Sequence, residues 1–301
     1  MLLKDFIKEG TLALSSLYGA PEARNIIQIL CQERLGTKSY THIIEPEYSI
    51  KPSLLPLLQG DLLKLQNAVP LQYVLGKAQF FSRDFRVDPN VLIPRPETEK
   101  LCQEAIKIAL MKSRVRSAYG AAASSPRVLD LCTGSGCIAW TMALEVPGCE
   151  VVATDISEAA LAVAVSQKFP NIRKFPKVIP PSFVRCDVLA PQPSFEEGKF
   201  DILLSNPPYV LESQRVSMRR NVLDHEPSLA LFVPDDDPLL FYKAIFRWAS
   251  LFLREDGVGI VEVNDILSHQ TAGIFLSGGF SKVEIIKDCF EKDRFVLFSR
   301  V

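Results

Sequence analysis

The chain has 301 residues, 48% of them hydrophobic and 23% charged, with 34 basic side chains against 35 acidic ones. At roughly 150 residues per domain the length corresponds to about two domains, and the apolar share is ample for a large core. A net charge of -1 excludes the broad basic field that supplies most affinity for duplex nucleic acid, so no direct duplex binding is expected.

In chain order, the amino-terminal stretch MLLKDFIKEG carries Asp5, Lys8 and Glu9 where a signal peptide is apolar. No later apolar run approaches the ~18 residues of a membrane helix, so a cytoplasmic protein is expected. Leu2, Leu3, Phe6 and Ile7 form one apolar stripe. Pro21 opens a second periodic segment, with Ala23, Ile26, Ile27 and Leu30, that stops before Gly36, and Ser53 to Leu65 repeats the pattern. These segments predict a small helical bundle over residues 1–72. Short aromatic and β-branched runs, Ala78 to Phe81 and Phe85 to Val87, predict a hairpin linker over 73–96.

Over 97–301 strand-like and helix-like segments alternate, the signature of a doubly wound α/β sheet. Seven strands are predicted: Arg127 to Leu131, Val151 to Asp155, Phe183 to Cys186, Asp201 to Ser205, Gly257 to Val263, Val283 to Lys287 and Arg294 to Ser299. The last two are close enough for an antiparallel hairpin. The small-residue stretch Ser117 to Pro126 reads as a surface loop. Seven cysteines without a C-x-x-C pair, and three histidines remote from them, predict reduced thiols and no metal site.

Chemistry concentrates at the ends of these strands. In Asp130-Leu131-Cys132-Thr133-Gly134-Ser135-Gly136 an apolar strand runs into a small-residue turn and then a helix, freeing backbone N–H groups for a ligand. Asp155 closes the next strand about 20 residues on, the spacing at which a carboxylate accepts both ribose hydroxyls; capping the following helix is the alternative. Asp187, after the third strand, can accept from an adenine amino group while Val188 packs on the ring. After the fourth strand stands Ser205-Asn206-Pro207-Pro208-Tyr209. Two prolines remove two donors from the turn, so the Asn206 side-chain oxygen and the Pro207 carbonyl can accept from one planar NH2 group, with the Tyr209 face beside it.

The motifs D-L-C-T-G-S-G, Asp155 and N-P-P-Y together resemble S-adenosylmethionine-dependent methyltransferases of planar nitrogens. Pro70 to Gly76 (PLQYVLG), Leu92 to Glu99 (LIPRPETE) and Glu226 to Leu231 (EPSLAL) resemble the HemK/PrmC family of glutamine N5-methyltransferases, over nearly the whole chain. The resemblance implies a seven-stranded, Rossmann-like class I methyltransferase sheet behind a helical domain that docks the substrate. The implied cofactor is S-adenosylmethionine, held by Asp130, Cys132, Thr133, Gly134, Ser135, Gly136, Asp155, Asp187, Val188 and Asn206, and catalysis falls to Asn206, Pro207, Pro208 and Tyr209. The implied substrate is the glutamine of the Gly-Gly-Gln motif in class 1 peptide chain release factors, which would tune translation termination. A glutamine of a ribosomal protein and an adenine or guanine of nucleic acid are the rival acceptors, and a non-catalytic cofactor-binding scaffold is the rival of another class. Arg95, Glu97 and Thr98 either flank the cofactor or form a salt-bridged hinge. His225 and Glu226 are either a substrate-facing lid or plain surface polar residues. The chain departs from the family pattern at Cys132 and Asn264, where glycine is common, and at Phe232 to Asp237, which replaces a glycine-containing loop.

Overall fold

Apolar residues recurring at helical spacing bury one face of the longer amino-terminal helices, and β-branched runs alternating with helices build a sheet. A computed structural model describes residues 1–118, 125–169, 178–190 and 199–301. Of the small-residue stretch at 117–126, residues 117 and 118 continue a helix and 119–124 lie outside the described residues.

Contacts divide the chain into two units, Met1–Lys77 with Met218–His225, and Ala78–Ser217 with Glu226–Val301. The first holds α1 (Leu3–Tyr18), α2 (Ala20–Leu35), α3 (Thr41–Ile44), α4 (Leu55–Gln66) and α5 (Leu71–Leu75). Its core is Phe6, Leu14, Ile27, Leu30, Leu58 and Leu65. Arg34 ties the bundle together, donating to the buried Asp61 carboxylate at 2.7 Å and to the Val74 carbonyl at 2.8 Å. The discontinuous piece is held by Arg219 on Glu22 at 3.0 Å and by His225 Nε2, 3.0 Å from the Asn67 carbonyl.

The second unit opens with the paired strands β1 (Lys77–Phe80) and β2 (Arg83–Arg86), the first of which starts at the unit boundary. Then follow α6 (Thr98–Ala118), β3 (Arg127–Leu131), α7 (Cys137–Glu145), β4 (Glu150–Asp155), α8 (Glu158–Val165), β5 (Ser182–Arg185), β6 (Phe200–Ser205) and β7 (Val210–Leu211). After α9 (Arg220–Leu223), which belongs to the first unit, come β8 (Phe232–Val233), α10 (Leu240–Phe252), β9 (Leu253–Glu262), α11 (Ser268–Ser277), β10 (Lys282–Lys287) and β11 (Asp293–Ser299). All seven expected strands enter one sheet of order β10-β11-β9-β6-β3-β4-β5. Its first five in chain order pair in parallel, and β11 lies antiparallel between β9 and β10, as the expected carboxyl-terminal hairpin requires. This is the expected doubly wound α/β sheet of seven strands. Among the described residues no helix is long and apolar enough to cross a membrane, and no cluster of three or more His, Cys, Asp or Glu can hold a metal ion.

Successive side chains of a strand point to opposite faces, so each buried strand feeds two cores. Val128, Ile202 and Leu204 pack with Leu101, Ala105, Ile138 and Met142 from α6 and α7. Leu129, Leu131, Leu203 and Val261 pack with Tyr242, Ile245, Trp248 and Phe275 from α10 and α11. Gly259 on β9 faces Phe298, whose ring stacks on Phe275 at 3.7 Å and meets Phe280 edge-on at 5.0 Å. A Cβ at Gly259 would lie 2.0 Å from that ring, which is fully buried and cannot yield. Gly259→Ala is therefore expected to cost ~1–3 kcal/mol by overpacking, read as a lowered midpoint in denaturant.

Candidate active site

The parallel strands all deliver their carboxyl ends to one edge of the sheet. The chain runs β3, β4, β5 to one side and returns to β6 on the other, so a crevice opens beside β3, where nucleotide ligands bind such folds. A cavity of about 180 Å³ lies there, lined among others by Thr133, Gly134, Ser135, Asp155, Ile156, Asp187, Val188, Asn206 and Pro208.

The turn after β3 alternates left-handed residues, Cys132 (φ 60°), Gly134 (φ 54°) and Gly136 (φ 78°). The two glycines do different work. A Cβ on Gly134 would meet nothing within 4 Å, whereas one on Gly136 would come within 3.0 Å of Ala164 Cβ. The first leaves the cavity floor open; the second lets α7 start against its neighbours. Asp130 is fully buried below the turn and accepts from the Thr133 hydroxyl at 2.6 Å. Burial raises its carboxyl to about 7, and the hydroxyl offsets only part of that.

Asp155 ends β4 and accepts the backbone N–H of Gly134 at 2.8 Å through one oxygen and that of Ser157 at 2.9 Å through the other. The helix cap is Ser157, whose hydroxyl accepts from Ala160 N, so the capping alternative for Asp155 falls away. Each carboxylate oxygen keeps a lone pair for a ligand. Asp187, two residues beyond β5, accepts from Leu189 N at 2.9 Å, and the Val188 carbonyl is pinned by the Trp248 indole at 3.0 Å.

The turn after β6 is held by four hydrogen bonds. The Ser205 hydroxyl donates to the Leu131 carbonyl at 2.8 Å, and the Asn206 amide donates to Thr98 Oγ1 at 3.2 Å. The Tyr209 hydroxyl donates to Glu262 at 2.9 Å, and Asn264 donates to the Tyr209 carbonyl at 3.1 Å. Asn206 and Pro208 line the cavity, while the Tyr209 ring packs on the core of Leu129 and Tyr242. Glu262, 1% exposed at the end of β9, also accepts the Thr98 hydroxyl at 2.6 Å. Burial pushes its carboxyl up, and the two hydroxyls and Arg294 pull it back. Sequence reasoning passed over Glu262, although an acid inside the apolar run Gly259 to Val263 is itself a signal.

In the segment before α6 the structure shows a cavity contact and an ion pair at Arg95. Arg95 lines the cavity and donates to Glu226 at 2.7 Å, and Glu226, 4% exposed, also accepts Ile93 N at 3.1 Å. Glu226 is thus an anchor for this wall rather than a lid or a surface residue.

The methyltransferase small domain family matches residues 115–226. Over 98% of both chains, this one is 34% identical to the release factor glutamine methyltransferase of Flavobacterium psychrophilum. It is 34% identical to that of Bacteroides thetaiotaomicron over 96% of both, and 36% identical to that of Chlorobaculum tepidum over 91% of this chain and 89% of the relative. The chain belongs to the release factor glutamine methyltransferase family.

As a member of this family the protein is an S-adenosylmethionine-dependent methyltransferase, and the cavity fits that cofactor. It offers an open backbone at Gly134, acceptor carboxylates at Asp155 and Asp187, and apolar walls at Ile156 and Val188. Asn264 and the Phe232 to Asp237 loop, where glycine was expected, make contacts of their own. Asn264 uses its amide to hold the Tyr209 carbonyl. The loop without glycine pairs β8 with β7, stacks Arg215 on Phe232 at 3.8 Å, and sets Asp235 to accept the Ser213 hydroxyl at 2.7 Å. At Cys132 the family's glycine would be unstrained, whereas a side chain in the left-handed region costs ~1–2 kcal/mol.

Both Cys132→Gly and Cys132→Ala delete the thiol, but only alanine retains a Cβ, so the glycine variant is expected to be the more stable by ~1 kcal/mol. Equal or reversed melting temperatures would show the turn to be unstrained. At Asp130 the folded-state value is raised from 3.8 to about 7, so the folded state binds the proton more tightly. The contribution to stability is full below pH 3.8 and is lost as pH rises towards 7. Asp130→Asn keeps an acceptor for Thr133 and removes the titration, so its stability relative to the parent should increase with pH across this window. A pH-independent difference between the two would contradict the assignment.

Proposed function

We propose that this enzyme transfers a methyl group from S-adenosylmethionine to the side-chain amide nitrogen of the glutamine in the Gly-Gly-Gln motif of class 1 peptide chain release factors. The observation that carries this reading is the Asn206 amide, held at the cavity wall with its NH2 on Thr98 and its oxygen left to accept. The full-length likeness to release factor glutamine methyltransferases supports the choice of substrate.

When bound, S-adenosylmethionine supplies an electrophilic methyl group. Asp155 is suited to accept the ribose hydroxyls, Asp187 the adenine amino group, and Val188 to pack on the base, with Asp130, Cys132, Thr133, Ser135 and the two glycines shaping the floor. An amide nitrogen is a poor nucleophile because its lone pair is shared with the carbonyl. Asn206 Oδ1 and the Pro207 carbonyl, each taking one N–H, leave electron density on that nitrogen and hold it in line for attack. Pro208 closes the turn without a competing donor, and Tyr209 braces it through Glu262. The nitrogen gains the methyl and then, having become acidic, releases one proton to solvent, so no side chain need act as base.

Docking of the release factor body falls to the helical unit, which has its own core and holds none of the cavity residues. A substrate that works on the ribosome also puts the enzyme in the cytoplasm.

With labelled cofactor and release factor, ribosomal protein and oligonucleotide offered in parallel, label is expected on the release factor. Label on nucleic acid alone would overturn the reading. Asn206→Ala should lower transfer at least ~100-fold while S-adenosylmethionine binding, measured by calorimetry, is retained.

A further inference from the structure

The hydrogen bonds behind Asn206 run in one direction only. A carboxylate has no proton to give, and Glu262 receives one O–H on each oxygen, from Thr98 at 2.6 Å and from Tyr209 at 2.9 Å. Thr98 has a single hydroxyl proton, and it is committed to Glu262. The Thr98 oxygen can then only accept from Asn206, so the Asn206 NH2 must face Thr98 and its Oδ1 must face the opposite way. Thr98 and Asn206 both line the cavity, and Thr98 and Glu262 are 2% and 1% exposed, so bulk water does not compete for these bonds.

We propose that Glu262, acting through Thr98, locks the Asn206 side chain as a hydrogen-bond acceptor and thereby makes the site selective for a primary amide over a carboxylate. This rests on Asn206 as the clamp for the substrate nitrogen and adds what sets its polarity. Glutamine and glutamate side chains have nearly the same shape; the amide offers two N–H donors where the acid offers only acceptors. An asparagine free to turn over would present its own NH2 to a carboxylate and accommodate it. The Glu262–Thr98 relay forbids that turn, leaving a glutamate opposite an oxygen. Glu262 and Thr98 are positioning residues: neither needs to touch the reacting atoms.

The test compares two peptides of identical sequence around Gly-Gly-X, with X glutamine or glutamate, on the parent enzyme, Thr98→Val and Thr98→Ser. Thr98→Val should weaken kcat on the glutamine peptide by a few fold and tighten binding of the glutamate peptide about tenfold, the equivalent of one hydrogen bond. Thr98→Ser, which keeps the hydroxyl, should retain the parent's discrimination. A purely structural role would weaken both peptides together, and that result would overturn the proposal, as would discrimination unchanged in Thr98→Val. Independently of any substrate, nitrogen-15 spectra of the parent should show one Asn206 side-chain proton protected from solvent exchange, with protection lost in Thr98→Val. An unprotected pair in the parent would overturn the relay. Protection together with no methylation of the glutamine peptide would instead count against the proposed substrate while supporting the relay.

Discussion

A buried carboxylate is costly unless donors reach it, and Glu262 is the point at which that requirement organises the second unit. Its two oxygens are satisfied by Thr98, the first residue of α6, and by Tyr209, four residues beyond the end of β6. Three segments far apart in the chain are thereby brought into register at the edge of the sheet. Hydrophobic packing of the strands sets where β6 and β9 end, but it has no preference for how an amide beyond that end is turned. The hydroxyl–carboxylate bonds supply that preference, because each has a fixed donor and a fixed acceptor.

The rest of the cavity follows from parallel topology. Strands that pair in parallel end together, so acids separated by tens of residues, Asp155 and Asp187, arrive on one rim beside the turn after β3. Backbone N–H groups of Gly134, Ser157 and Leu189 hold these carboxylates in place. Polar side chains hold the neighbouring turns: Asn264 grips the Tyr209 carbonyl, and Asp235 grips Ser213 beyond it.

Much of this was legible in the linear chain because its signals are local. Short apolar, strand-like segments alternating with helix-like ones marked all seven strands to within a few residues, the largest error being the amino end of β9, which starts at Leu253 rather than Gly257. The segments around Gly134 and Asn206 were visible because turn chemistry depends on neighbours in sequence. Tyr209 shows the limit. Its face was expected beside the substrate; the bond from its hydroxyl to Glu262 and the packing of its ring against the core of Leu129 and Tyr242 have no local signal. Glu226 likewise read as a lid or a surface residue and is a buried anchor for Ile93 and Arg95.

Composition, periodicity and motif spacing were enough for the α/β class, the helical amino-terminal body, the rim of acids and the N-P-P-Y turn, since each depends on residues within one strand, turn or helix. Three things required the folded chain: the assignment of Met218–His225 to the first unit, the meeting of Thr98 with Asn206 across 108 positions, and that of Thr98 with Glu262 across 164. A hydrogen bond carries no trace of its partner in the local sequence when the partners are joined only by sheet topology. Charge near neutrality, with which the chain was first described, left the nature of the substrate open; the direction of the bonds at Asn206 depends on where β6, β9 and α6 come together.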